Sequence, residues 1–334
     1  MARNSILVLG SSNTDMVIRV KRIPKSGETV LGGEFTSAAG GKGANQAVGA
    51  ARAGGKVTFI ARVGKDVLGE TAISQFIAEG INVDFIVRDP QSPSGVALIF
   101  VGQDGENSIA VASGANGRLA PADVKKAGPV LRNASVLVLQ LETPLKTVEM
   151  AAEIAAKAGV RVILNPAPAQ VLPNSLLAHV YVLTPNESEA ELLTGLKVTN
   201  EADAAKAAEK LLASGVQNVI LTMGARGAFV AGKNVRQLIP GHQMKAVDTI
   251  AAGDVFNGAL AVALAEGKSL LDAAQFANAA AAISVTRAGA QTSAPTRKEI
   301  EQLLSASRAW QGKSRSNLSK RNGHALQLNH NGSA

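Results

Sequence analysis

Cysteine is absent from the 334 residues. Disulfides, thiolate metal sites and cysteine nucleophiles are excluded with it. Aromatic residues make up only 3%, with a single tryptophan and a single tyrosine. No apolar run approaches the roughly 18 residues that a membrane span needs. The early run Ile6-Leu7-Val8-Leu9 is too short for the core of a signal peptide. The expectation is a cytoplasmic protein with no membrane partner. The basic excess is not spread evenly along the chain. Residues 305–334 hold five basic side chains (Arg308, Lys313, Arg315, Lys320, Arg321) and no acidic one. The net charge is +8, so residues 1–304 keep only +3. The body is therefore not a basic nucleic-acid-binding surface, and five tail charges with one tryptophan make no stacking platform.

What is present is ordinary for a globular enzyme, with 46% hydrophobic and 18% charged residues. The length suits one large α/β domain with a sizeable core. Ile6–Leu9 reads as a buried strand, and Met16–Val20 and the stretch 29–36 as extended. Gly40-Gly41-Lys42-Gly43 reads as a flexible hinge before a helix over 44–53. Val57–Val63 reads as a strand and 69–79 as a helix. Gly95–Val101 and Asn107–Ala112 read as a hairpin turned by Gly102-Gln103-Asp104-Gly105. After Leu119 short apolar strands at 136–141, 160–164, 180–183 and 219–222 alternate with Ala-rich helical stretches such as 145–158 and 201–214. That rhythm predicts a parallel sheet covered on both faces. The early strands break it and predict a small accessory sheet. Helices are expected over 253–266 and 269–285. The body is expected to end near Leu304. The tail 305–334, which contains Trp310, lacks periodicity and reads as disordered.

Two familiar phosphate loops are excluded. Gly267-Lys268-Ser269 has Val262 where the Walker pattern needs glycine, and Gly312-Lys313-Ser314 has Ser307. No G-x-G-x-x-G follows the first strand. Four other segments carry chemistry. Asp248-Thr249-Ile250-Ala251-Ala252-Gly253-Asp254 runs into a helix, so the N–H groups of Ala252, Gly253 and Asp254 would attract an anion; an ordinary N-cap is the alternative. Gly40 to Gln46 offers a backbone open to a ligand and Asn45 as donor and acceptor; a plain Gly-rich hinge is the alternative. Asn186 and Glu189 are hard-oxygen groups three residues apart, suited to a hydrated Mg²⁺ or to a helix capping box. Thr222-Met223-Gly224-Ala225-Arg226-Gly227 leaves a strand in a Gly-rich turn, either a nucleotide wall or a simple turn. Asn13, Asp15 and Glu142 sit at strand ends. The four histidines (His179, His242, His324, His330) lie outside all of these segments, so any proton abstraction falls to a carboxylate.

Taken in order, these segments resemble the ribokinase-like carbohydrate kinase family over about residues 1–304. Many members have Gly-Ala-Gly-Asp where this chain has Ala251-Ala252-Gly253-Asp254. The resemblance implies a mostly parallel central sheet flanked by helices, with a small β-lid from about 14–38 and 94–112. It implies ATP-dependent phosphorylation of the 5-hydroxyl of D-ribose. Asp254 would be the base, and Ala251, Ala252, Gly253 and Asp254 the anion hole. Asn13, Thr14, Asp15, Gly41, Lys42, Gly43, Ala44, Asn45 and Glu142 would hold the sugar. Asn186, Thr222, Met223, Gly224, Ala225, Arg226, Gly227 and Asn278 would line the ATP site. Glu189 would act on Mg²⁺ through water. A K⁺ site would lie between Asp248–Ile250 and the loop carrying Ser284, Arg287, Gly289 and Ser293. Two lids would pack as a homodimer clasp. The competing expectations are a related kinase for another sugar or a nucleoside, and a binding protein that kept the fold without catalysis.

Overall fold

The computed structural model describes residues 4–104 and 106–307. Its strands in chain order are β1 (Ser5–Leu9), β2 (Asn13–Arg19), β3 (Glu34–Gly40), β4 (Lys56–Gly64), β5 (Asn82–Asp89), β6 (Gly95–Val101), β7 (Asn107–Ala112), β8 (Val136–Leu139), β9 (Arg161–Leu164), β10 (Val182–Leu183), β11 (Asn218–Thr222), β12 (Gly227–Gly232) and β13 (Val235–Pro240). Nine of them form one sheet in the order β13-β12-β11-β10-β9-β8-β1-β4-β5. Pairing is parallel throughout except for β11–β12 and β12–β13. The mostly parallel sheet is thus as expected. The strands β5, β12 and β13 were not anticipated. Gly227-Ala228-Phe229-Val230-Ala231-Gly232 is bounded and diluted by glycine, which hides strand character from a local reading.

Strand β8 is apolar at every position, and β1 and β9 are apolar after their first residue, because both faces are covered. Within β1, Ile6 and Val8 pack into one core, while Leu7 and Leu9 pack into the other. The first core holds the helices Lys42–Arg52, Ala252–Ala265 and Leu270–Ser284; the second holds Leu145–Lys157 and Glu201–Ala213. The chain leaves β1 toward β4 on one side and later returns through β8 on the other. The C-terminal ends of β1 and β8 therefore flank a topological switch point, where an open α/β sheet forms its binding crevice.

Two of these helices approach very closely. A Cβ on Gly258 would lie 2.6 Å from the Ala50 nitrogen and 2.6 Å from the Gln46 oxygen. Glycine is required here because backbone fills the space. The result sets the first turns of Lys42–Arg52 and Ala252–Ala265 side by side.

The accessory sheet has the order β3-β2-β6-β7. Its strands span 13–40 and 95–112, and β6 and β7 form the expected antiparallel hairpin. The parallel pairing of β2 with β6 was not foreseen. Phe35, Leu98, Ile109 and Val111 are each about half exposed or more on this sheet. The segment 40–43 is not a hinge. Gly40 ends β3, Gly41 takes φ +90° as the N-cap, and Lys42 opens the helix. The α-helix over 297–307 runs past Leu304. The remainder of the tail reading, with Trp310, lies outside the described residues. Among the described residues no helix is long and apolar enough to cross a membrane.

Candidate active site

Asp254 lies in the first turn of the helix Ala252–Ala265 and is 6% exposed. Both carboxylate oxygens are gripped by amides from the neighbouring helix. Asn45 Nδ2 donates to Oδ2 at 3.1 Å, and Gln46 Nε2 donates to Oδ1 at 2.9 Å. Burial pushes the Asp254 pKa up, against the opposing pull of Lys42, Gln46 and Asn45, while Glu142 adds to the rise. A raised pKa makes this carboxylate a better proton acceptor than an exposed aspartate. Asn45 Oδ1 is buried with no protein partner among the described residues, an acceptor waiting for a donor such as a hydroxyl.

Just before this helix, Ala251 adopts φ +59°, the one positive φ outside glycine among the described residues. That left-handed turn aims the helix start at the crevice. The Ala252 N–H is taken by the Thr249 carbonyl at 3.3 Å, contrary to the expectation that it is free. Among the described residues the Gly253 and Asp254 N–H groups donate to no protein acceptor, and Gly253 lines both cavities described below. Two unpaired donors and the helix dipole favour negative charge at this point.

A polar cavity of about 160 Å³ lies over this turn, walled by Lys42, Asn165, Asn186, Glu189, Gly253 and Asp254 among others. It opens into a second cavity of about 440 Å³. The two share Asn186, Thr222, Thr249, Ala252 and Gly253. Gly224, Ala225, Gly227 and Asn278 line the larger one. Met223 instead packs into the core, and Arg226 turns to Glu187 and the Thr199 carbonyl. His242 lies outside every chemistry-bearing segment of the sequence, yet it lines the larger cavity, where burial lowers its pKa.

The strand-end residues converge beside Asp254. Burial, then Glu142, then Asp254 raise the Asp15 pKa to about 6. A Cβ on Gly40 would lie 2.2 Å from that carboxylate. Glu142 accepts from Ser11 Oγ at 2.5 Å and from the Lys42 N–H at 2.9 Å. Burial works against the Lys42 ammonium, but Asp254, Glu142 and Glu189 outweigh it and raise its pKa. Asn13 is held by Asn116, which no sequence signal marked. Ala44 is core, and its N–H donates to the Ser11 carbonyl at 2.8 Å. Thr14 pairs with Ala39 and Val96 across the lid.

Asn186 and Glu189 form the capping box. Glu189 N–H donates to Asn186 Oδ1 and Asn186 N–H to Glu189 Oε2, both at 2.8 Å. Glu189 also faces the polar cavity, and burial raises its pKa. Asp248 ties two loops together, accepting from Ile250 N–H and from Gly289 N–H, each at 2.9 Å. The Val285 carbonyl accepts the N–H groups of Val247 and Asp248. Arg287 pairs with Glu299, and the Ser284 and Ser293 side chains are buried.

A model of the pfkB family carbohydrate kinases matches residues 3–297. The chain belongs to that family. A ribokinase of Haemophilus influenzae is 48% identical over 302 residues, which cover 90% of this chain and 99% of that protein. A deoxyribokinase of Salmonella typhi is 38% identical, covering 90% of this chain and 98% of that one. The structure of an Arabidopsis thaliana ribokinase complexed with ribose and ATP superposes with TM-score 0.82 at 35% identity, covering 91% of this chain and 99% of that one. The buried carboxylate at a helix start is thus found in a carbohydrate kinase framework.

Proposed function

We propose that the chain transfers the γ-phosphoryl group of ATP to O5 of D-ribose, in the cytoplasm. The observation that carries this is Asp254: a buried carboxylate gripped by two amides, beside the unpaired Gly253 and Asp254 N–H groups, where two cavities meet. The larger cavity suits the nucleotide. The polar groups at the lid root (Asn13, Asp15, Lys42, Asn45, Glu142) suit sugar hydroxyls. Asp254 takes the O5 proton as the O5–Pγ bond forms and the bond from Pγ to the β,γ-bridging oxygen breaks, releasing ADP. The Gly253 and Asp254 N–H groups and Lys42 stabilise charge on the transferring group. Positioning and electrostatics are what phosphoryl transfer asks of a protein.

Among the described residues no cluster of three or more His, Asp or Glu side chains is placed to hold a metal. That fits Mg²⁺, which keeps waters and phosphate ligands and needs few protein groups. Glu189 would hold its hydration shell. Bound Mg²⁺ would neutralise phosphate charge. K⁺ would sit near Asp248, whose carboxylate links the two loops and would be joined by loop carbonyls to give a hard-oxygen set. Its role would be to order the 248–254 turn. A second copy would pack on the lid, where Phe35 and Leu98 on one face and Ile109 and Val111 on the other are about half exposed or more.

The test is ADP release measured with ribose, deoxyribose, fructose, adenosine and fructose 6-phosphate. Ribose should give the highest kcat/KM. A higher value for fructose or adenosine would reassign the substrate, and none above background would leave a binding protein.

A further inference from the structure

The amide grip on Asp254 extends well beyond the residues that face the cavities. Gln46 Nε2 donates to Asp254 Oδ1 at 2.9 Å and to Asn165 Oδ1 at 3.1 Å. Gln46 Oε1 accepts from Gln140 Nε2 at 2.6 Å. Asn165 Nδ2 donates to the Thr184 carbonyl at 3.3 Å. Gln46 is completely buried and Gln140 is 1% exposed. No step of the reaction above is assigned to either glutamine.

A primary amide has a donor end and an acceptor end. If Gln46 were reversed, its oxygen would face two other oxygens, Asp254 Oδ1 and Asn165 Oδ1, and its NH₂ would face that of Gln140. Three hydrogen bonds would become three repulsions in a place without water to compensate. Asp254 and Asn165 therefore dictate that Gln46 points its donors at the carboxylate, and Gln140, whose own Oε1 has no partner among the described residues, turns its NH₂ to the Gln46 oxygen.

We propose that Gln46 and Gln140 are positioning residues for the phosphoryl transfer: Gln140 fixes the Gln46 amide, and Gln46 fixes the orientation and the ionised form of Asp254. This rests on the reading of Asp254 as the base. Gln46 has no access to solvent or sugar, so the base is oriented before the sugar arrives. Such preorganisation is where an enzyme gains most from fixed dipoles. The charged groups facing Asp254 are Lys42 on the helix Lys42–Arg52, Glu142 after β8, Asp15 on β2 and Glu189 on the helix Glu187–Thr194. All four remain in glutamine variants, so a change in Asp254 titration reports the amide.

The experiment is a ¹³C-carboxyl NMR titration of the full-length chain labelled at aspartate, with Asp254→Asn assigning the resonance. Gln46→Leu should raise the Asp254 pKa by about 1–2 units, the size expected for a lost charge-assisted hydrogen bond. Gln140→Met keeps the Gln46 amide but frees it, and should raise it by less; this variant decides the matter if Gln46→Leu does not fold. Kinetically, the acid limb of kcat should move to higher pH in both variants, with ribose KM within about twofold and kcat at pH 7 down roughly tenfold in Gln46→Leu. An Asp254 titration unchanged in the folded variants, with only thermal stability reduced, would make the glutamines core filler and overturn the proposal. A wild-type chain that phosphorylates no sugar would refute the kinase reading instead, while the titration would still decide the amide chain.

Discussion

Asn116 Nδ2 donates to Asn13 Oδ1 at 2.7 Å, so the Asn13 amide must present its NH₂ away from Asn116. The same Asn116 side chain accepts from the Ser12 N–H at 2.9 Å and donates to the Ser12 carbonyl at 3.1 Å. Asn13 begins lid strand β2, and Asn116 follows lid strand β7. Two roots of the lid are thus pinned at one candidate sugar contact. Asn116→Ala should raise the KM for ribose roughly tenfold, the equivalent of one hydrogen bond, with kcat and the KM for ATP within about twofold. Equal KM values for ribose in variant and wild type would detach Asn116 from the sugar.

Asp15 should make sugar binding pH-dependent. Its pKa is raised to about 6 by burial, then by Glu142 and Asp254. Below that pH it is protonated and loses acceptor capacity, so the ribose KM should climb as pH falls from 7 to 5. A flat KM over this range would contradict the assignment. The stability consequence has the opposite direction. The folded pKa lies above the unfolded value of 3.8, so a destabilising contribution develops as pH rises from about 4 to about 6. Asp15→Asn should therefore stabilise the sugar-free protein at pH 7 by about 1–2 kcal/mol after allowance for solvent screening, while weakening ribose binding. Chemical denaturation of both proteins measures it.

Ala251 holds a left-handed φ of +59°. That conformation costs a residue with a Cβ about 1–2 kcal/mol. Glycine relieves it but adds about 0.4–1 kcal/mol of unfolded-state entropy. Ala251→Gly should leave stability equal or up to about 1.5 kcal/mol higher, with turnover within a few-fold of wild type. A clear loss of stability in urea would show that the alanine methyl packs usefully.

Asp248 joins the 248–250 and 284–293 loops through the Gly289 N–H. Turnover should rise when Na⁺ is replaced by K⁺ at equal ionic strength, and Asp248→Ala should abolish the difference. Direct ²⁰⁵Tl⁺ binding, lost in the variant, is the independent readout. Identical rates in both salts would remove the cation site.

The architecture was legible where the signal is local. The apolar runs of β1, β8 and β9 and the β6–β7 hairpin each announce themselves within a few residues. The segment Gly40–Gly43 misled because glycine marks both hinges and helix N-caps, and only the close approach of Gly41 to Asn13 separates the two. Asn45 and Asp254 stood inside recognisable segments. The role of Gln46 did not emerge, although it sits in the same segment, because its partners lie 119 and 208 residues away in Asn165 and Asp254. Asn116 was invisible for the same reason: a side chain that orients another one has no spacing rule. Met223 and Arg226 belong to a segment that otherwise reaches the cavity, but one lies in the core and the other faces Glu187. Side-chain direction in an irregular turn is decided by packing and not by position in a motif.

Phosphoryl transfer in this protein turns on Asp254 as the base. Its most direct test is kcat of Asp254→Asn with ribose and Mg·ATP, alongside ATP affinity measured by calorimetry. A positioned base contributes about 10²–10⁴ in rate, so kcat should fall by at least about a hundredfold while the protein stays folded and ATP binds within a few-fold of wild type. Turnover within a factor of about three of wild type, far less than a base contributes, would contradict it.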